Sequence, residues 1–124
     1  LNDPDETDLP RLKNIIQYEL GQIEDVPLTF SDGEHIEGHI LYSASAEASA
    51  ETDYIAGSAL GILDEESARW AEVIDLDGSN FKGKIEGLIT AEDDSKLVYF
   101  VIDDDVADEA SHIFKARLEG PWYE

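Results

Sequence analysis

From Asn14 onward the chain alternates between short runs of β-branched and aromatic residues and clusters of Asp, Gly, Ser and Asn. The runs Asn14–Leu20, Pro27–Phe30, Ile36–Ser45, Tyr54–Leu63, Arg69–Leu76, Lys84–Thr90, Leu97–Ile102 and His112–Leu118 predict eight short strands. The first of these also suits one helical turn, but its Ile15–Ile16 pair and the Gly21 stop favour a strand. Between the runs, Ser31-Asp32-Gly33, Asp64-Glu65-Glu66-Ser67, Asp77-Gly78-Ser79-Asn80 and Glu92-Asp93-Asp94-Ser95 read as turns. The stretches from Glu47 to Asp53 and from Asp103 to Ser111 read as polar loops. Residues 1–13 are acidic, contain two prolines and offer little to bury, so a flexible lead-in is expected before one β domain over 14–124.

Periodicity separates the candidate architectures. Arg69–Leu76 alternates, setting Trp70, Glu72 and Ile74 on one face and Ala71 and Val73 on the other. Leu97–Ile102 is apolar on both faces, as is much of Gly57–Leu63, which calls for sheets stacked against sheets. An all-β fold follows, and propeller blades meet the requirement because each is sandwiched between two neighbours. Blade-like sheets are expected at about 26–76 and 84–120. With roughly 40–50 residues per blade, two to three blades fit this length, whereas a closed propeller has at least four. The expectation is a partial propeller completed by further blades or by association of copies, with a self-sufficient β-sandwich as the alternative. The opening Leu1-Asn2-Asp3 suggests a processed or truncated product.

Charge narrows the setting. Thirty Asp and Glu oppose eight Lys and Arg over 124 residues, a formal net charge of −22. The acids are dispersed, and the cluster Leu97-Val98-Tyr99-Phe100-Val101-Ile102 argues against a disordered acidic chain. Adaptation to molar salt accounts for both facts. At a Debye length of about 3 Å self-repulsion is screened, and hydrated carboxylates keep the surface soluble. Partial unfolding below about 1 M salt is the corollary, and the cytoplasm of a salt-accumulating organism is the favoured location. Nucleic acid is excluded as a partner, because no Lys/Arg cluster exists to displace phosphate counterions. An anionic membrane surface is excluded on the same ground, and no apolar run reaches the ~20 residues of a bilayer span. Without cysteine there is no disulfide or thiol chemistry.

Two stretches carry a resemblance. Leu41-Tyr42-Ser43-Ala44-Ser45-Ala46-Glu47 followed by Gly57-Ser58-Ala59-Leu60-Gly61-Ile62-Leu63 resembles a pattern in a family of uncharacterised bacterial and archaeal β-propeller proteins. So does Lys84-Ile85-Glu86-Gly87-Leu88 followed by Ile102-Asp103-Asp104-Asp105 and Ser111-His112-Ile113-Phe114. Phytase-like and esterase-like propellers resemble this latter stretch as well. The resemblance spans roughly residues 26–120 and implies that the segments around Glu47 and Glu86 open onto a central channel near the Asp-rich loop. Chains of that family are normally about twice this length, so the N-terminal blades are absent here. The acidic bias and the loop of small residues fit a haloarchaeal member.

The candidate chemistry is sparse. Glu86 lies inside a predicted strand, where an unpaired carboxylate is costly to bury; it needs a cation, a network or a wet channel, unless it simply reaches solvent. Asp103-Asp104-Asp105 ends the most apolar strand and offers oxygen donors of the kind Ca²⁺ takes, six to eight at a time; a solvated turn explains it equally. Glu86, Asp103, Asp105 and Glu47 therefore form the candidate metal set, with Ca²⁺ as the possible cofactor. Asp75–Glu86 has the length of an EF-hand loop, but its glycine stands at the fourth position and Lys82 and Lys84 interrupt it, so a β-turn is expected. His35, His39 and His112 lack zinc spacing. Ser43, Ser45 and Ser58 lack a nucleophile elbow, and Gly57–Gly61 lacks the lysine of a phosphate loop. Trp70, Trp122 and Tyr123 read as packing residues, the last two also as anchors for a partner or neighbouring blade.

Two functions from different classes remain. One is a non-catalytic binding or assembly module of unknown ligand, for which a structural Ca²⁺ and a homo-oligomer are further expectations. The other is a metal-dependent hydrolase of phosphate esters or similar small substrates, with Glu86, Glu47 and Asp103 holding the metal. The dearth of Arg and Lys, which such sites offer to phosphate, weighs against the second.

Overall fold

The computed structural model describes residues 10–49, 54–64, 67–102 and 112–123, and is all-β with no helix among them. β1 (Gln22–Ile23), β2 (Val26–Ile36), β3 (His39–Ser49), β4 (Tyr54–Leu63) and β5 (Ala68–Glu72) form a five-stranded antiparallel sheet in chain order. β6 (Ile85–Ala91), β7 (Asp94–Ile102) and β8 (Ile113–Arg117) form a three-stranded antiparallel sheet, also in chain order. Every connection within a sheet is therefore a meander, the cheapest way to pair neighbouring strands.

Alternation distributes the side chains. Along β3, Leu41, Ser43 and Ser45 face the second sheet, while Tyr42, Ala44 and Ala46 face away; β4 matches them, with Ile62, Leu60 and Ser58 opposite the first set. Leu41, Leu60 and Ile62 join Ile85, Leu88, Val98, Phe100, Phe81 and Leu118 in one buried cluster, so the two sheets share a core. Phe81, Phe100 and Phe114 close one end of it. Phe100 and Phe114 stack at 5.5 Å between centroids, and Phe81 stands edge-on to both at 5.5 and 5.1 Å. Each such pair contributes about 0.5–1.5 kcal/mol beyond the area it buries.

The far face of the large sheet has its own cluster, in which Leu20 and Ile23 cover Leu28, Ala44, Ala46, Ala56 and Ala59. Tyr42 lies there with its ring across its cross-strand partner Gly61. Its phenol is buried without a hydrogen-bond partner among the described residues, and burial pushes its pKa up to about 12.

Three expectations are corrected. Residues 14–20 form no strand: a strand exists by pairing, and this segment is held instead by single contacts, Tyr18 Oη donating to the Asp64 carbonyl at 2.6 Å and Trp70 Nε1 to that of Leu20. Ser31-Asp32-Gly33 is not a turn. β2 runs through it to Ile36, and Ser31 is absorbed as a bulge between Phe30 and Asp32. The reversal comes at Glu37-Gly38, both at positive φ (54° and 78°), the conformation a two-residue hairpin loop demands. Glu24-Asp25 repeats it between β1 and β2, at 50° and 64°. Among the described residues, Leu97–Ile102 is fully buried on one face only, by the shared core against Val98 and Phe100; on the other face Leu97 and Tyr99 are half-buried and Val101 is 37% exposed.

Candidate functional site

The seam between the sheets is polar at one edge. β6 is an edge strand, and its outward amides would be open to water or to another chain. Two carboxylates of β2 take them instead. Leu88 N–H donates to Asp32 Oδ2 and Thr90 N–H to Glu34 Oε2, both at 2.8 Å. Asp32 and Glu34 pair across β2–β3 with Ser43 and Leu41, so alternation directs both side chains to the same face. Hydrogen bonds from amides to ionised carboxylates are among the stronger in proteins, about 1.5–3 kcal/mol each.

A row of hydroxyls lines the same seam. Ser31 and Ser43 hydroxyls bond at 2.8 Å, those of Ser45 and Ser58 at 3.2 Å, and Ser58 donates on to the Gly83 carbonyl at 2.5 Å. Ser43, Ser45 and Ser58 are at most 1% exposed. Their hydrogen bonds run to one another and to backbone, a structural use rather than a nucleophilic one. His39 Nε2 bonds the Tyr123 carbonyl at 2.9 Å, and the His112 ring lies against Phe114.

Of the predicted metal set, the fold brings two members together. Glu47 sits in β3 at a bulge after Ala46, and Glu86 is the bulge residue between Ile85 and Gly87 in β6. Both approach the Lys84 ammonium, at 3.4 and 3.6 Å. The bulge resolves the burial problem that the sequence posed, because it leaves the Glu86 side chain 44% exposed. Lys84 has its pKa raised, first by the charge of Glu47 and its hydrogen bond, then by Glu86. The described donors are thus two carboxylates bridged by a lysine, short of the six to eight oxygens that Ca²⁺ takes. No group of three or more His, Asp or Glu able to hold a metal occurs among the described residues, and Asp103 to Asp105 lie outside them.

A cleft of about 240 Å³ lies beside β5, lined by Ile62, Arg69, Trp70, Ala71, Glu119, Pro121 and Trp122. Both indole N–H groups are spent on backbone carbonyls, Trp70 on Leu20 and Trp122 on Glu119. Arg69 is paired with Asp64 at 3.2 Å.

The feature that sequence reasoning did not isolate is the outer face of the three-stranded sheet. Register sets Gly87 opposite Val101, Ile89 opposite Tyr99, Val101 opposite Ile113 and Tyr99 opposite Lys115 there, with Arg117 opposite Leu97. Ile89 is 58% exposed and Ile113 71%. Two of the chain's eight basic residues, Lys115 and Arg117, stand on this face, and Asp94 at its border holds Arg117 in an ion pair at 3.1 Å. The signal was present as the two-faced apolarity of Leu97–Ile102, but which face a partner covers appears only with the register.

Two meandering antiparallel sheets stacked on a common core, with an apolar outer face, define a β module of stacked sheets. Residues 3–118 match the model of a family of unknown function (DUF6929), and the chain belongs to that family. No curated protein and no solved structure matches it.

Proposed function

We propose that this chain is a non-catalytic, salt-adapted assembly module of propeller-like architecture, whose working part is the outer face of β6–β7–β8. The observation that supports this reading is a sheet apolar on both faces, only one of which the described residues cover: Val98 is fully buried and Phe100 4% exposed, while Ile89 and Ile113 on the reverse stand in solvent. Blade-type sheets have this property because each is packed between two others. Contiguous exposed β-branched residues mark contact faces in soluble proteins. Molar salt strengthens the burial of such a face and screens the repulsion that a charge of −22 imposes on neighbouring copies.

The test is the light-scattering mass of the wild-type chain in 2 M KCl across a hundredfold concentration range. A mass rising to a multiple of 13.7 kDa is expected. A constant 13.7 kDa throughout overturns the reading.

A further inference from the structure

The two-sheet stack has two ends, and they differ. One is the outer face of β6–β7–β8 described above, with Lys115 on it and Arg117 at its border, the latter 3.1 Å from Asp94. The other is the far face of the five-stranded sheet, where Leu20 and Ile23 cover only part of the surface. Beside them Phe30 and Ile40 remain 48% and 44% exposed, Phe30 standing edge-on to Tyr42 at 5.0 Å. This second end is bordered by carboxylates: Glu37 is exposed in the hairpin turn three residues before Ile40, and Glu19 lines the same hollow as Phe30.

Resting on the assembly reading above, we infer that the occupant of the outer face is a second copy of this chain, docked head to tail, with Ile89, Val101 and Ile113 of one copy against Phe30 and Ile40 of the next. The argument is one of charge and of closure. Pairing two outer faces would bring the Lys115 of both copies into one contact and leave Phe30 and Ile40 of both copies in water. Head-to-tail docking covers both apolar ends and brings the Lys115 face against the end bordered by Glu37 and Glu19. At a Debye length of a few ångströms these charges act only in direct contact, so they select orientation while apolar burial supplies the attraction. A contact between two different patches is heterologous, and repeats into a ring where the rotation closes. A ring of stacked sheets is the arrangement of a propeller.

The test uses two single variants in 2 M KCl, Ile113→Asp at one end and Ile40→Asp at the other. Ile113 is largely in solvent and Ile40 is 44% exposed, and a native tryptophan emission spectrum checks that each variant is folded. Each variant alone is expected at the single-chain mass, since each retains one working end with nothing to meet. A 1:1 mixture is expected at twice that mass, because the intact outer face of one meets the intact far face of the other. If Ile40→Asp assembles like wild type, the copies pair outer face to outer face: the head-to-tail inference fails while the assembly reading stands. If the folded variants stay single when mixed, the inference also fails. A wild-type chain that is single at every concentration overturns both.

Discussion

Gly61→Val is expected to cost roughly 3 kcal/mol or more of folding stability, measured by urea melts in 2 M KCl. A Cβ at this position would run into the Tyr42 ring and the Arg69 carbonyl, and neither can retreat. The ring is 1% exposed within the far-face cluster, and the carbonyl is backbone of β5, the neighbouring strand. An aromatic ring laid over a cross-strand glycine supplies the packing that the missing side chain does not. Gly61→Ala is expected to do nearly as much damage as valine, because the first methyl already meets both obstacles. Tyr42→Phe, by contrast, removes only a buried hydroxyl with no partner among the described residues, and is expected to be neutral or stabilising by up to about 1 kcal/mol. A loss below about 1 kcal/mol for Gly61→Val would show that the ring is free to move and that this face is loosely packed.

The second large effect belongs to Asp32 and Glu34. The double change to alanine leaves the Leu88 and Thr90 amides without their acceptors at a partly buried seam. At about 1–3 kcal/mol for each orphaned donor, a loss of roughly 3–5 kcal/mol is expected, less than additive if water enters. Asp32→Asn with Glu34→Gln keeps an acceptor oxygen at each place and is expected to retain about half of that stability or more. In urea melts in 2 M KCl, amide variants as unstable as the alanine pair would show that charge, not the hydrogen bond, holds β2 to β6. A double alanine variant within about 0.5 kcal/mol of wild type would mean that the carboxylates merely cover an edge that water serves equally well.

Composition and periodicity carried much of this fold to the surface of the sequence. Tyr54–Leu63 was readable at its observed bounds, because small and β-branched residues run unbroken between two polar stretches. The demand of Leu97–Ile102 for a stacked sheet was readable as well, and the shared core meets it on one side. What misled were cases where local chemistry serves two structures. Ser31-Asp32-Gly33 has turn composition, yet a bulge accepts the same residues when hydrogen bonds continue on either side. The true reversals place Glu24, Asp25 and Glu37 at positive φ, where Asn or Gly gives the usual signal, and Gly38 alone is too little to mark a turn. The β-branched Ile15–Ile16 pair has strand propensity but pairs with no strand, and propensity without a partner does not make a strand.

The candidate site was legible only in part, for a related reason. Glu47 and Glu86 were singled out, and the fold does bring them together, through bulges in two different strands that no spacing rule announces. That the cation beside them is Lys84 follows from its place just before β6, visible only once the strand bounds are known. Asp32 and Glu34 were invisible among thirty acids because their role depends on the edge of a strand some fifty residues away in sequence, 56 in both cases. The outer face is the converse: its residues were noticed, but that Ile89, Val101 and Ile113 share one exposed face emerges only when three strands are set in register.

Because the chain contains no cysteine, Ile113→Cys gives a single thiol on that face, and its maleimide labelling rate in 2 M KCl reports directly whether the face is covered. Leu76→Cys, fully exposed on the turn after β5, serves as the reference. If copies dock there, labelling of the Ile113→Cys variant slows severalfold as protein concentration rises, while the reference rate stays constant. Equal rates for both variants, unchanged over a hundredfold range of concentration, would contradict the assignment of this face to assembly.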